Sequence, residues 1–428
     1  MVRQSSVQRT TIEGHRFLEN RLFDTRRTSL DLAAPLSAED MTVQAMEDAS
    51  PTKWHLAHVT WFFETFILAT HLTAYRAFDP SFNYCFNSYY ESQGPRQPRP
   101  RRGVLTRPSA ERVLQYRAHV DEALASLFAR GIDEEIARLV EIGINHEQQH
   151  QELLLTDILA LFAANPLRPA YRPRRPRASD PETGPTSWID YIGGIRQAGH
   201  DGRGYHWDNE APRHDVLIHP FRLADRLVTN GEWLEFMADG GYAAAALWLA
   251  DGWTTVNREG WQAPLYWEER DGQWRAMSLE GMQPVEHAAP VAHVSYYEAD
   301  AFARWAGKRL PTEFEWEVAA QDLAVTGNNL SSGALHPLPA PPAVPGHPRQ
   351  MFGDVWEWTQ SAYLPYPGYR PPAGALGEYN GKFMVSQQVL RGGSCATPDG
   401  HTRATYRNFF YPQQRWQFMG LRLASEIV

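Results

Sequence analysis

The chain has 428 residues, 43% of them hydrophobic and 21% charged, with a formal net charge of -9; it is a globular chain long enough for two or three full cores, and its acidic balance excludes nucleic acid as a main partner, because phosphate binding needs a concentrated cationic surface. Two cysteines far apart in sequence, Cys85 and Cys395, exclude a disulfide framework and a cysteine-based zinc cluster, so any metal must be held by histidine and carboxylate. The amino terminus lacks an apolar signal core and the longest apolar run, near Tyr242 to Ala250, is too short to cross a bilayer, so a cytoplasmic protein without membrane contact is expected.

The first helix is predicted from about Thr11 to Thr28, and Ser37-Ala38-Glu39-Asp40 resembles a capping box opening a short second one. Ser50-Pro51 then reads as an N-cap with proline at the first helical position. In the helix that follows, Trp54, His58, Trp61, Phe62 and Thr65 share one face, which places His58 on an apolar stripe and leaves His55 as a polar edge residue. A long connection from Phe82 to Arg107 contains Asn87-Ser88-Tyr89-Tyr90 and the arginine run Arg96 to Arg102. So long a loop in a compact helical domain is functional or disordered, and its aromatics argue for order. The arginines read either as a solvated basic surface or as a clamp for a substrate carboxylate, since guanidinium forks match carboxylates bidentately.

A helix from about Ser109 to Ala129 is closed by Gly131, and another runs from about Asp133 to Phe162 and stops at Asn165-Pro166. In the latter, Ile136, Leu139, Gly143, Leu153, Ile158 and Leu161 mark an inward stripe on which His146 and His150 fall. Two imidazoles one turn apart on a core-facing stripe form a metal chelate that needs a third ligand, and His58 is the natural one. Long helices in this order predict a four-helix bundle with a metal site in its core.

Six prolines and several arginines between Pro166 and Pro185 mark an extended boundary without a core. Expected domains are therefore 1–165, a helical bundle with the metal site; 166–187, a linker; and 188–428, an irregular α+β domain. All the tryptophans except Trp54 and Trp61 lie in the last of these, among glycine turns and short strand-like runs such as Asp215 to Ile218. Capping boxes at Ser295-Tyr296-Tyr297-Glu298 and Thr312-Glu313-Phe314-Glu315 open two helices there.

His146-Glu147-Gln148-Gln149-His150 also satisfies H-E-x-x-H, in which a glutamate serves a zinc protease as general base. The extended form of that motif needs glycine at 153 and histidine at 156, where this chain has Leu153 and Thr156. A site of three histidines from two helices fits better. Ligand type alone leaves open Zn(II) for hydrolysis and Fe(II) for oxygen chemistry.

The ordered set Ser50-Pro51-Thr52-Lys53-Trp54-His55-Leu56-Ala57-His58, Asn87-Ser88-Tyr89-Tyr90 and His146 to Glu152 resembles the ergothioneine-biosynthesis sulfoxide synthases of the EgtB type. Downstream, Arg309 to Glu317, Phe352 to Thr359, Leu390 to Ser394 and Gly420 to Leu423 resemble the formylglycine-generating-enzyme (sulfatase-modifying factor) domain. The resemblance implies a multidomain α and α+β protein: a DinB-like four-helix bundle followed by a C-type-lectin-like, formylglycine-generating-enzyme-like domain. It further implies a non-haem Fe(II) enzyme that uses O2 to join the sulfur of cysteine or γ-glutamylcysteine to C2 of the hercynine imidazole, giving a sulfoxide.

By the same resemblance, His58, His146 and His150 are the iron ligands, and Gln149 hydrogen-bonds the hercynine imidazole. Asn408 binds the hercynine carboxylate, Phe409 and Phe410 receive its trimethylammonium, and Arg99 and Arg102 bind the carboxylate of the thiol substrate. The catalytic tyrosine comes from Tyr89 and Tyr90 in one branch, which prefers free cysteine, and from the second domain in another, where Tyr363 and Tyr366 stand; the Asn-Ser-Tyr-Tyr match favours the first, with Tyr363 in reserve. Cys395 is the only cysteine of the second domain, so the two-cysteine copper site of true formylglycine-generating enzymes is lacking and sulfatase maturation is not expected. The alternatives are a related synthase using histidine or a selenium donor, a DinB-type zinc hydrolase or thiol transferase, and a non-catalytic binding protein.

Overall fold

A computed structural model describes residues 2–174 and 184–427, so residues 175–183 of the expected linker lie outside the described residues. The chain divides into two compact units, Met1–Pro166 and Leu167–Val428.

The first unit is helical, with α1 (Val2–Ala33), α2 (Thr52–Phe63), α3 (Ala69–His71), α4 (Phe82–Phe86), α5 (Ala110–Arg130) and α6 (Glu134–Ala164). Helix α6 starts where the Asp133 carboxylate accepts the Ile136 N–H at 2.8 Å, with Glu134 and Glu135 complementing the positive helix end, and it stops before Pro166. Helix α5 starts on Ser109, which accepts from Arg112 N–H, and ends at Gly131, whose φ of 88° suits glycine. Helix α1 extends past both expected ends.

Two local expectations change. Ser37 and Asp40 do exchange backbone-to-side-chain bonds of 3.0 and 3.1 Å, yet the chain continues in turns rather than a helix; one closed turn does not offset the cost of helix nucleation without a buried face. Pro51, with ψ of 144°, is itself the residue before the first helical turn of α2, which leaves Ser50 outside the helix and available for tertiary bonds.

A buried ionic cluster ties α1, α2, α5 and α6 together. Glu147 on α6, with no solvent exposure, accepts from Arg26 at 3.0 Å and Ser29 at 2.6 Å on α1 and from Arg117 on α5. Arg26 and Arg117 each reach Thr60 Oγ1 of α2 at 3.4 Å. Burial alone raises the Glu147 pKa, but Arg117 and Arg26 together outweigh it and hold the group below the usual carboxylate value.

The second unit is α+β, with α7 (Asn230–Ala238), α8 (Ala250–Glu259), α9 (Tyr296–Trp305), α10 (Glu313–Ala320) and short sheets. Ser295 and Thr312 form the expected capping boxes of α9 and α10. One antiparallel sheet orders strands Trp188–Tyr191, Phe221–Ala224 and Ala424–Glu426, so that Leu223 faces Ile189 on one side and Ala424 on the other. A second orders Asn408–Phe410, Gln388–Arg391, Trp356–Ala362 and Met419–Gly420, the last pair parallel. Ile218, Phe221, Leu223, Trp316, Met351 and Phe352 pack in the core.

Several motif residues of this unit form buried ion pairs. Glu313 accepts from Arg407 at 2.8 and 3.0 Å and from Arg391 at 2.9 Å; Arg391 also reaches Glu317 at 3.0 Å. Arg422 pairs with Glu357 at 2.9 Å. The unit's signature therefore describes a scaffold of arginine–carboxylate pairs closed away from water.

Candidate metal centre

His58 on α2 and His146 and His150 on α6 each bring one ring nitrogen within 4.8 Å of the others. The one-turn spacing on α6 aims two imidazoles in one direction, and α2 packs across them. His58 is held between the rings of Trp54 and Trp61, at centroid distances of 4.6 and 5.7 Å, and His146 meets Phe62 at 4.9 Å.

Hydrogen bonds fix which nitrogen faces inward. His58 Nδ1–H donates to the Phe86 carbonyl at 2.6 Å, so its Nε2 faces His146 Nε2, 3.1 Å away. Two nitrogens bound at about 2.1 Å to one ion, about 90–110° apart, lie about 3.0–3.4 Å from each other. His150 Nδ1 lies 2.8 Å from His55 Nδ1, and His55 Nε2 lies 3.0 Å from Asp157 Oδ2, which also accepts the Ser50 N–H at 2.8 Å.

Burial, and for His58 and His150 the neighbouring histidines, lower the pKa of these rings; His146 is held at about 3. All three imidazoles are therefore neutral near pH 7, the form in which histidine binds a metal. Three neutral nitrogen donors fit a borderline divalent ion such as Fe(II) or Zn(II).

His55, expected as a polar edge residue, is 3% exposed and sits behind His150. The reason is that every residue of α2 is buried, so no edge exists for it to occupy. Glu147 is bound on its other side by Arg26 and Arg117, which removes it as a general base beside the histidines. Trp54, Asp157 and Ser50 also belong to the surroundings of the centre. Sequence offers a signal for Trp54, the near absence of charge in Thr52 to Phe63, which marks a helix buried all round, and none for Asp157 or Ser50.

Arg102 and Arg99 part company. Arg102 is 3% exposed, lies with its guanidinium carbon 3.4 Å from the Trp54 ring centroid, and donates to Ser50 and Ser88 hydroxyls at 3.0 Å each. Among the described residues no carboxylate pairs with it, and burial, followed by Arg99, holds its pKa well below the usual guanidinium value. Arg99 is exposed and donates to the Asp48 carbonyl.

Tyr90 is wholly buried against Trp61 and Phe66, with half-buried Tyr89 stacked on it at 4.7 Å. Asn87 shapes this turn by accepting the Tyr90 N–H at 3.1 Å and donating to its carbonyl at 2.9 Å. Gln149 is half-buried on α6. In the second unit Tyr363 is wholly buried, accepts from Asn209 at 2.9 Å and stacks on Phe409 at 4.0 Å. Asn408, Phe409 and Phe410 form the half-buried strand at the edge of its sheet, and Phe410 meets Trp416 edge-on at 5.5 Å. No helix among the described residues is long and apolar enough to cross a membrane.

Residues 21–154 match the model of the DinB superfamily, and residues 178–337 and 344–427 match that of the Sulfatase-modifying factor enzyme 1-like domain. The hercynine oxygenase of Mycobacterium tuberculosis is 33% identical over 402 residues, 88% of this chain and 91% of that one. The hercynine oxygenase of Mycolicibacterium thermoresistibile is 31% identical over 439 residues, 96% of this chain and 95% of that one. A formylglycine-generating enzyme of Streptomyces coelicolor is 31% identical over 271 residues, 53% of this chain and 84% of that one. Because the likeness to the oxygenases runs over nearly the whole chain and that to the formylglycine-generating enzyme over about half of it, the chain belongs to the hercynine oxygenase family.

Proposed function

We propose that this chain is a hercynine oxygenase of the sulfoxide-synthase kind, an oxidoreductase that uses O2 to join the sulfur of cysteine or γ-glutamylcysteine to C2 of the hercynine imidazole. One oxygen atom enters the sulfoxide, and the other leaves as water with the hydrogens of C2–H and S–H. The observation that carries the reading is the convergence of His58, His146 and His150 in a chain aligned almost end to end with such oxygenases. The zinc hydrolase and the non-catalytic readings are not favoured.

The three histidines would hold Fe(II), which when bound supplies one-electron chemistry with O2 and a place for the thiolate. In this reading other residues of the chain bind and orient the substrates. Among the described residues the buried Arg102 guanidinium donates to two serine hydroxyls and lies on a tryptophan face, an arrangement completed by an anion; we assign it to the carboxylate of the thiol substrate. Arg99 keeps a place in that proposal only as an exposed neighbour. Gln149 presents an amide to the hercynine imidazole. Asn408 takes the hercynine carboxylate, and Phe409 and Phe410 take the trimethylammonium on their ring faces. The four-helix arrangement of α1, α2, α5 and α6 is the DinB-type bundle that carries the ligands.

A phenol of the Tyr89–Tyr90 pair supplies the proton or hydrogen atom, since a phenol stays neutral near pH 7 where a carboxylic acid is ionised. A second reading assigns that role to Tyr363, because it stacks directly on Phe409. Product analysis separates the two: Tyr89→Phe or Tyr90→Phe should shift the product from hercynyl sulfoxide towards cysteine sulfinate. A shift in Tyr363→Phe alone moves the donor to the second unit.

A further inference from the structure

We propose that His55 and Asp157 are positioning residues of the metal centre, a carboxylate–imidazole pair that fixes the tautomer of His150 so that its Nε2 lone pair faces the metal. The inference rests on the reading of His58, His146 and His150 as a metal site.

The two Nδ1 atoms of His55 and His150 are 2.8 Å apart, so one proton lies between them. Asp157 Oδ2 already accepts the Ser50 N–H at 2.8 Å and stands 3.0 Å from His55 Nε2. The Asp157 oxygen is the acceptor in both contacts, so we place the ring proton of His55 on Nε2. Its Nδ1 then offers a lone pair, and the shared proton belongs to His150 Nδ1. That leaves His150 Nε2 without a proton and open to a metal.

His58 is served in the same way by a different acceptor, the Phe86 carbonyl at 2.6 Å. Ligands on both helices thus have their outward nitrogens engaged before any ion binds. The pair behind His150 differs in ending on a carboxylate, which makes the ring a stronger donor than a carbonyl would, and partners of this kind change metal affinity by about 10–100-fold. The chain folds this way because α2 is buried on every face, so that His55, one turn before His58, meets α6 where Asp157 lies two turns beyond His150.

The test uses Co(II) as a spectroscopic probe of the metal-free full chain. The glutamine side chain carries an acceptor and a donor spaced much like the two imidazole nitrogens, so His55→Gln can accept from His150 and donate to Asp157, whereas His55→Leu can do neither. We expect His55→Leu to lose about 10–100-fold in Co(II) affinity and His55→Gln to stay within about threefold of wild type. Equal losses in the two variants, or none in either, would overturn the proposal. Nitrogen-15 NMR of wild-type metal-free protein gives a second reading that needs no variant to fold: the His150 proton is expected on Nδ1, and a proton on Nε2 would overturn the assignment. Wild type that takes up no Co(II) would instead overturn the metal centre, and the proposal with it.

Discussion

Gly143 on α6 and the ring of Phe63 on α2 occupy the same space: a Cβ built on Gly143 would stand 2.4 Å from Phe63 Cε1. Glycine inside a helix costs about 0.5–1 kcal/mol relative to alanine, and here it lets the two ligand-bearing helices close on each other. In Gly143→Ala the ring must move, and with it the spacing between His58 and His146. Overpacking of this kind costs about 1–3 kcal/mol, so the expected outcome is a net loss of stability in urea denaturation together with weaker Co(II) binding. A variant stabilised by its better helix propensity would contradict this account of the helix contact.

Glu147 belongs to the scaffold. Removing one partner of a buried ion pair costs about 3–5 kcal/mol, so Glu147→Gln is expected to lower the denaturation midpoint strongly and to release Arg26 and Arg117 from their shared acceptor. Urea denaturation of the metal-free protein checks this. An unchanged midpoint with lost turnover would return Glu147 to the role of a general base.

Stability should fall in mild acid, and the sign follows from the histidines. His146 is held at about 3, with burial as the main cause, His293 at about 4 and His401 at about 3, all below the ordinary 6.5. Between those values and 6.5 the unfolded chain binds more protons than the folded one, so unfolding takes up protons and stability drops as pH falls. The melting temperature of metal-free protein is expected to decline steadily from about pH 6.5 downward. A level or rising melting temperature over that range would show that these rings are protonated in the fold.

Much of the centre was legible in the sequence because α6 is amphipathic, so helical spacing alone put His146 and His150 on the inward stripe. His55 was not, because a face argument assumes an exposed side and α2 has none. Arg99 and Arg102 read as equivalent, three residues apart in what proves to be a tight helical turn. The non-helical backbone of Arg101, with φ of -116° and ψ of 16°, breaks that turn and points one guanidinium inward and the other to solvent. Ser37 and Asp40 carry a true local signal that no buried face extends into a helix. In the second unit the motifs were legible only through their resemblance to a known domain; that they contribute Arg391 to Glu313 and Glu317, and Arg422 to Glu357, as buried pairs emerges from the fold.

The two arginines now separate experimentally. A charge-assisted hydrogen bond contributes about 1.5–3 kcal/mol, so Arg102→Lys, which loses the planar fork, is expected to raise the KM for cysteine by about tenfold or more while changing the KM for hercynine little. Arg99→Lys is expected to leave both near wild type. Steady-state kinetics with each substrate varied in turn checks this. Equal effects of Arg102→Lys on the two substrates would remove it from the thiol site.

The oxygenase activity is tested by loading the metal-free protein with Fe(II) without oxygen, adding hercynine and cysteine, admitting O2, and following oxygen uptake together with the mass of the product. One O2 should be consumed for each hercynyl cysteine sulfoxide formed, with both signals lost in His58→Ala along with the bound iron. Turnover that proceeds without O2, that zinc supports equally, or that survives in an iron-free His58→Ala would contradict it.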